Sequence, residues 1–142
     1  MFNTFMTEAL VRKPITSFRD LEVYQNSYRA MVLLMTKVLP TLPSSERYDL
    51  KDQLSRSCKA IPRLIAEGYA KRHQRAGFQK YLDDAMGECN ETVVGLETCC
   101  DIYPTLVDQA LCHELLSIYD TCGRQMYRLA QAWTNFKEKQ KY

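Results

Sequence analysis

The sequence predicts an all-α fold, an up-down-up-down antiparallel four-helix bundle with a short N-terminal extension. Three observations carry that prediction. Apolar residues recur at steps of three and four along most of the chain, and no stretch sustains the period-two alternation of a strand. Pro40, Pro43 and Pro104, together with the segment from His73 to Gly77, cut the pattern into four blocks. Each block runs to roughly 20 to 30 residues, and short connections between such blocks favour antiparallel neighbours.

At 142 residues the chain suits one domain with a substantial core. The expected layout is an extension over residues 1–16, the bundle over 17–137 and a solvated tail over 138–142. In the extension, Phe2, Phe5, Met6 and Leu10 have the spacing of one or two helical turns, which Pro14 ends. Ser17 with Asp20 three positions on is a capping-box start. The first helix then runs to about Leu39 with Leu21, Tyr24, Tyr28, Met31, Met35 and Val38 inward. Ser44 or Ser45 is the expected cap of the second helix, with Glu46 in its first turn, where the helix dipole favours an anion.

The second helix continues to about Lys71, with Leu50, Leu54, Cys58, Ile61 and Ile65 on one face. Pro62 should kink it without ending it, because the apolar period resumes at Ile65. Gly68 is expected to loosen its last turns. The third helix runs from about Phe78 to Tyr103. Gly87 and Gly95 are spaced to share one face, which permits close approach by a neighbour. The fourth starts at Thr105-x-x-Asp108 and turns Leu111, Leu115, Ile118, Cys122, Met126, Leu129, Trp133 and Phe136 inward.

Net charge is only +2, yet the charges are segregated. Arg47 to Lys80 holds nine Lys/Arg and three Asp/Glu; Tyr81 to Asp120 holds nine Asp/Glu and no Lys or Arg. Thr121 to the end holds five Lys/Arg and one Glu. Such asymmetry points to an electrostatic partner or to self-association of unlike patches, against the alternative of solvated helix faces. The six cysteines lie inside helical patterns, mostly near the apolar face, where a free thiol packs as a small hydrophobe. No run approaches the roughly 20 apolar residues of a membrane span, and the N-terminus is a poor signal peptide. The chain therefore reads as a reduced cytoplasmic protein.

Catalytic and metal constellations are missing from the pattern. Zinc spacing of the C-x-x-C kind is absent, and no Glu is followed by His three residues later, as bundle di-iron sites need. Cys112 and His113 are helix neighbours pointing about 100° apart, a poor nucleophile–base pair. Gly68 and Gly77 stand alone and make no phosphate loop. No catalytic residue, metal ligand or cofactor is therefore expected. Gln53, Glu67, Glu88 and Glu91 fit interhelical hydrogen bonding that fixes register. Arg124 and Arg128 fit solvation or pairing with the acidic third helix.

What stands out is cationic. Lys51, Arg56, Lys59 and Arg63 ride beside the core stripe of the second helix, and Lys71, Arg72, His73, Arg75 and Lys80 cluster at its end. These nine residues are the expected nucleic-acid surface, because phosphate contacts give salt-dependent, weakly sequence-specific affinity. Tyr69 and Tyr81 flank the turn, placed either to stack on unpaired bases or to pack in the core.

Several motifs resemble the four-helix-bundle family of 23S rRNA intervening-sequence proteins. They are Phe18-Arg19-Asp20-Leu21-x-Val23-Tyr24, Leu50-x-x-Gln53-x-x-Arg56 and Ile61-Pro62-x-x-Ile65-Ala66-Glu67-Gly68. Phe78-x-x-x-Leu82, Ala85-Met86-Gly87 with Glu91, and Tyr119-Asp120-x-Cys122-Gly123-Arg124-Gln125-Met126 follow. Leu64 and Glu88 depart from the pattern, which commonly has Asn and Ser there. The accessory variability proteins of diversity-generating retroelements share the fold. That resemblance implies a pentameric ring, a nucleic-acid partner and, in the retroelement case, a reverse transcriptase partner. The sequence thus supports two expectations: an RNA-binding homo-oligomer, or an interaction scaffold for an enzyme–RNA complex.

Overall fold

The structure, a computed structural model, describes residues 14–74 and 76–140, with side chains through Thr134. The apolar turns expected between Phe2 and Leu10, and Arg75 of the basic cluster, lie outside the described residues. Among the described residues there are four α-helices and no strand: α1 Glu22–Leu33, α2 Leu50–Ala70, α3 Gly77–Ile102 and α4 Gln109–Gln140. The all-α four-helix bundle read from the sequence is the fold found.

The Ser17 capping box forms, but on a separate 3-10 turn, Phe18–Asp20. The Ser17 hydroxyl accepts from the Arg19 amide, and the Asp20 carboxylate accepts from the Ser17 amide at 3.0 Å. After α1 the chain passes through a wide π turn, Leu34–Val38, and a 3-10 turn, Leu39–Thr41, that takes in Pro40. Neither Ser44 nor Ser45 caps α2, and Glu46 is not in its first turn. Residues Ser44–Glu46 form their own 3-10 turn after Pro43, and α2 starts only at Leu50. The two prolines fix backbone torsion in this connection, so the chain makes compact turns before the long helix begins. Asp52 is the carboxylate in the first turn of α2.

Helix α2 is unbroken through Pro62, which is buried. At the start of α4 the cap is Asp108, not Thr105: its carboxylate accepts from the Leu111 amide at 3.1 Å. The α4 helix also continues past Phe136 to Gln140.

Helix α3 is central in contact, packing along α2 on one side and α4 on the other, while α1 closes on α2 and α4. The core runs the length of the bundle through Leu34, Leu54, Ile61, Ile65, Phe78, Leu82, Leu96, Leu115, Tyr119 and Met126, all essentially inaccessible. Two glycines set the α2–α3 distance. A Cβ on Gly68 would lie 2.7 Å from the Tyr81 Cβ, and one on Gly95 would lie 2.5 Å from Leu54 Cδ2. Gly68 is thus a packing residue, not a loosening one. Gly87 does not share the role expected for it with Gly95, since nothing lies within 4 Å of a Cβ there.

The buried polar link across this seam is one the sequence reading did not single out. The Thr92 hydroxyl donates to Ser57 Oγ at 2.9 Å, and both residues are buried. Gln53 and Glu67 are exposed instead; Gln53 donates to Asp49, the residue just before its own helix.

The cysteines divide. Cys58, Cys89, Cys99 and Cys122 are buried free thiols, as expected of small core hydrophobes. Burial pushes the first three up to about 11 and Cys122 up to about 12, so they stay protonated and inert. Cys100 and Cys112 depart from the free-thiol expectation and form a disulfide. The short 103–108 connection folds α4 back so that the last turn of α3 meets the first turn of α4. This brings the two Cα atoms to 6.9 Å.

Candidate nucleic-acid interface

The sequence-predicted cations separate into three places. Lys51 is half-buried beside Met35, Leu39, Pro40 and Arg47, in a shallow recess next to the α1–α2 connection. It lies apart from the other α2 cations because five residues of helix turn the next one, Arg56, about 140° away. Arg56, Lys59 and Arg63 fall within about 60° of one another and line the α2 side of a groove of about 640 Å³. Lys71, Arg72 and His73 occupy the turn at the end of the bundle, with Lys80 exposed in the first turns of α3.

The groove is not purely cationic. Its α3 side carries Glu88 and Glu91, and its floor has Ser57 and Ala60. Burial raises the Glu88 carboxyl above the ordinary glutamate value. Glu91 adds to the rise by hydrogen bonding and repulsion, Asp84 adds by repulsion, and Arg63 pulls the other way. A basic rail on α2 therefore faces an acidic rail on α3. Arg56 is already engaged, pairing with Asp52 one turn back at 2.9 Å while remaining largely exposed. Such a pair in water contributes at most about 1 kcal/mol.

The turn is organised differently. The Arg72 guanidinium carbon sits 4.0 Å from the centroid of the Tyr69 ring, and its Nη1 donates to the Tyr69 carbonyl at 2.8 Å. The Lys71 ammonium donates to the Tyr81 hydroxyl at 2.6 Å and lies 4.9 Å from that ring's centroid. The hydrogen bond to Tyr81 raises Lys71 above the ordinary lysine value, so it stays charged. Behind these cations the Tyr69 ring meets Phe78 edge to face, and Phe78 meets Trp133 likewise. Tyr69 spans core and surface, packed on the core below and holding Arg72 above, while half-buried Tyr81 holds Lys71 through its hydroxyl.

The other functional candidates do not assemble. Cys112 is bonded to Cys100, and His113 is exposed, so the two make no nucleophile–base pair. Among the described residues no group of three or more His, Cys, Asp or Glu could hold a metal ion. No described helix is long and apolar enough to cross a membrane. Arg124 pairs at 2.7 Å with Asp120 on its own helix, not with α3. The acidic rail and the tyrosine–cation pairs are what the sequence reading missed. Antiparallel α2 and α3 place residues 63 and 88 across from each other, as they do 57 and 92, and periodicity along one helix does not show that register.

The family model described as 23S rRNA-intervening sequence protein matches residues 19–128. The chain belongs to this family. The matched span includes all of α2 and α3, the turn between them and the groove with its two rails. No curated protein matches the chain.

Proposed function

We propose that this member of the 23S rRNA-intervening sequence family is a non-catalytic RNA-binding protein whose contact surface centres on the α2–α3 turn. One observation carries the reading: Lys71, Arg72 and His73 stand together on that turn, two of them held by tyrosines, with Lys80 close by in sequence. Arg63, Lys59 and Arg56 extend the cationic surface along α2, but Glu88 and Glu91 oppose them across the groove. The turn is therefore the principal contact and the α2 rail a secondary one. Lys51 is left out of the contact by its position beside the α1–α2 connection.

One copy offers few cations, and repetition in a ring multiplies weak contacts through avidity. The outer face of α3 supports a head-to-tail contact between copies. Val94 and Ile102 are 63% and 60% exposed there, on the helix that also carries Glu91, Glu97 and Asp101. A neighbour's basic surface suits that combination, and a contact between unlike patches closes into a ring or runs on as a filament. Five copies is the closure proposed. Light scattering at moderate salt should then give about five times the 16.5 kDa chain mass.

The binding test is charge reversal at Lys71→Glu with Arg72→Glu. Affinity for a structured RNA at low salt should fall about tenfold or more, with an unchanged circular dichroism spectrum. Unaltered affinity in that variant moves the surface elsewhere.

A further inference from the structure

We infer that the α2–α3 turn reads phosphate and not bases, with Tyr69 and Tyr81 serving as positioning residues that hold Arg72 and Lys71 toward the nucleic-acid backbone. The inference rests on the RNA-binding reading and narrows it to a ligand class: any RNA strand, recognised by its phosphates without regard to sequence.

Two aromatic rings beside a cationic turn invite a base-stacking interpretation, since unpaired bases bind by stacking on exposed aromatic faces. Here the geometry gives both rings another task, the holding of a cation. Tyr69 is half-buried, edge-to-face with Phe78 and with the Arg72 guanidinium carbon 4.0 Å from its centroid. Tyr81 is also half-buried. Its Cβ abuts Gly68, and its hydroxyl takes the Lys71 hydrogen bond, which places the ammonium beyond the hydroxyl end of the ring, 4.9 Å from the centroid. A base stacking on the Arg72 side of Tyr69 must first displace that guanidinium, and displacing it removes the attraction that brought the strand there.

The cations keep capacity for phosphate. A guanidinium has five N–H donors and an ammonium three. Arg72 commits Nη1 to the Tyr69 carbonyl, and Lys71 commits one donor to Tyr81. Among the described residues no other hydrogen bond or ion pair engages the remaining donors. Holding the two side chains in this way lowers the entropy lost when a phosphate binds, because long cationic side chains are otherwise free. The acidic rail of Asp84, Glu88 and Glu91 bounds the surface on the α3 side, so a strand is kept to the turn and the α2 edge of the groove.

The test uses the full-length protein and four probes of equal length: oligouridylate, oligoadenylate, oligocytidylate and an RNA duplex. Affinities for the three single strands should agree within about twofold, since the contact is electrostatic. Tyr81→Phe keeps the ring and loses the hydroxyl, and Tyr69→Leu keeps apolar bulk and loses the cation–π contact. Each should weaken all probes alike by about two- to fivefold. The salt slope should stay unchanged, because no charge is lost. Lys71→Ala should reduce that slope by about 0.7 on single strands. Tyr69→Phe, which keeps the face under Arg72, should bind as the parent does, and circular dichroism controls for folding.

A preference of more than about tenfold for oligoadenylate would overturn the inference while leaving RNA binding in place, as would a tyrosine variant that weakens one base only. Tyr81→Phe and Tyr69→Leu both binding as the parent does would overturn the positioning role. Binding to none of the probes at low salt would overturn both the inference and the reading beneath it.

Discussion

Helix α3 makes two long seams, and they hold by different means. Against α2 it is held by close approach: Gly68 and Gly95 let side chains of the opposite helix sit where a Cβ would be, and Thr92 bonds Ser57 in the core. Against α4 the glycine, Gly123, faces open space, and the tie is chemical. Cys89 donates to the Tyr119 carbonyl at 3.3 Å, and Cys100 is bonded to Cys112. The α2–α3 seam carries the candidate interface at its turn end and along its groove. The seam that must present cations in fixed places is thus the one set by backbone proximity. The difference teaches that a glycine in a helix has no meaning of its own; its neighbour across the seam decides whether it is a contact or a weakness.

The largest effect expected is on the α4 side. A disulfide closing a loop of this size stabilises by about 3 kcal/mol through the unfolded chain. Reduction, or Cys112→Ser, should lower the urea midpoint accordingly. Thiol counting in denaturant should find four reactive cysteines before reduction and six after. Six before reduction would remove this tie and leave the α3–α4 seam to packing alone.

Next comes the α2 side. Gly68→Ala places a methyl against Tyr81 Cβ and Phe78, neither of which can swing away as a side-chain tip can. Overpacking of this kind costs about 1–3 kcal/mol, partly offset by the better helix propensity of Ala. Gly95→Ala meets the end of the Leu54 side chain and should cost less. Because Gly68 also seats Tyr81 beside Lys71, Gly68→Ala should weaken RNA binding as well as stability. A variant as stable as the parent would show that the seam is set elsewhere.

Thr92→Val should cost about 1 kcal/mol in urea denaturation, because it removes the hydroxyl whose one proton is shared between Ser57 Oγ and the Glu88 carbonyl, each 2.9 Å away. Ser57→Ala should cost a similar amount, and the double variant less than the sum. Full additivity would mean that the two hydroxyls do not act as a pair.

How much of this was legible follows from what periodicity encodes. The α2 core stripe of Leu54, Cys58, Ile61 and Ile65 was readable because burial repeats with the helix. The bundle and its breaks were readable for the same reason. Ser44, Ser45 and Thr105 failed as caps because a capping residue type marks a turn as readily as a helix start. Asp108, one turn beyond Thr105, does the capping. The cationic residues were readable as a set, but their division into recess, groove and turn depends on angles about α2 and on the partner helix. Periodicity alone fits Glu88 to a register role; only the antiparallel register of α3 puts it across from Arg63.

Gly123→Ala should reverse the sign seen at Gly68. With nothing within 4 Å of its Cβ, the substitution gains helix propensity and meets no obstacle. The expected gain is about 0.5–1 kcal/mol. A loss there would mean that this face of α4 is covered in the working assembly, and a dimer or larger species should then accompany the loss.

The smallest effect concerns the acidic rail. Burial, with Glu91 and Asp84 on the same helix, holds the Glu88 carboxyl above the ordinary glutamate value in the folded chain. The unfolded chain ionises Glu88 more readily, so at neutral pH the ionised side chain opposes folding. Below the unfolded-state value both states bind the proton and the opposition vanishes. Glu88→Gln should therefore stabilise at pH 7, and its advantage should shrink as pH falls through the glutamate range. Like-charge neighbours one turn apart on a helix cost about 0.2–0.5 kcal/mol, which sets the scale of the gain. Added salt should reduce the share due to Glu91 and Asp84 but not the share due to burial. The same substitution weakens the rail that faces Arg63, so RNA affinity should rise slightly and lose part of its pH dependence. A Glu88→Gln variant less stable than the parent at pH 7 would show that the attraction of Arg63 outweighs burial and repulsion. The groove would then be a paired seam, and the turn alone would remain as the cationic surface.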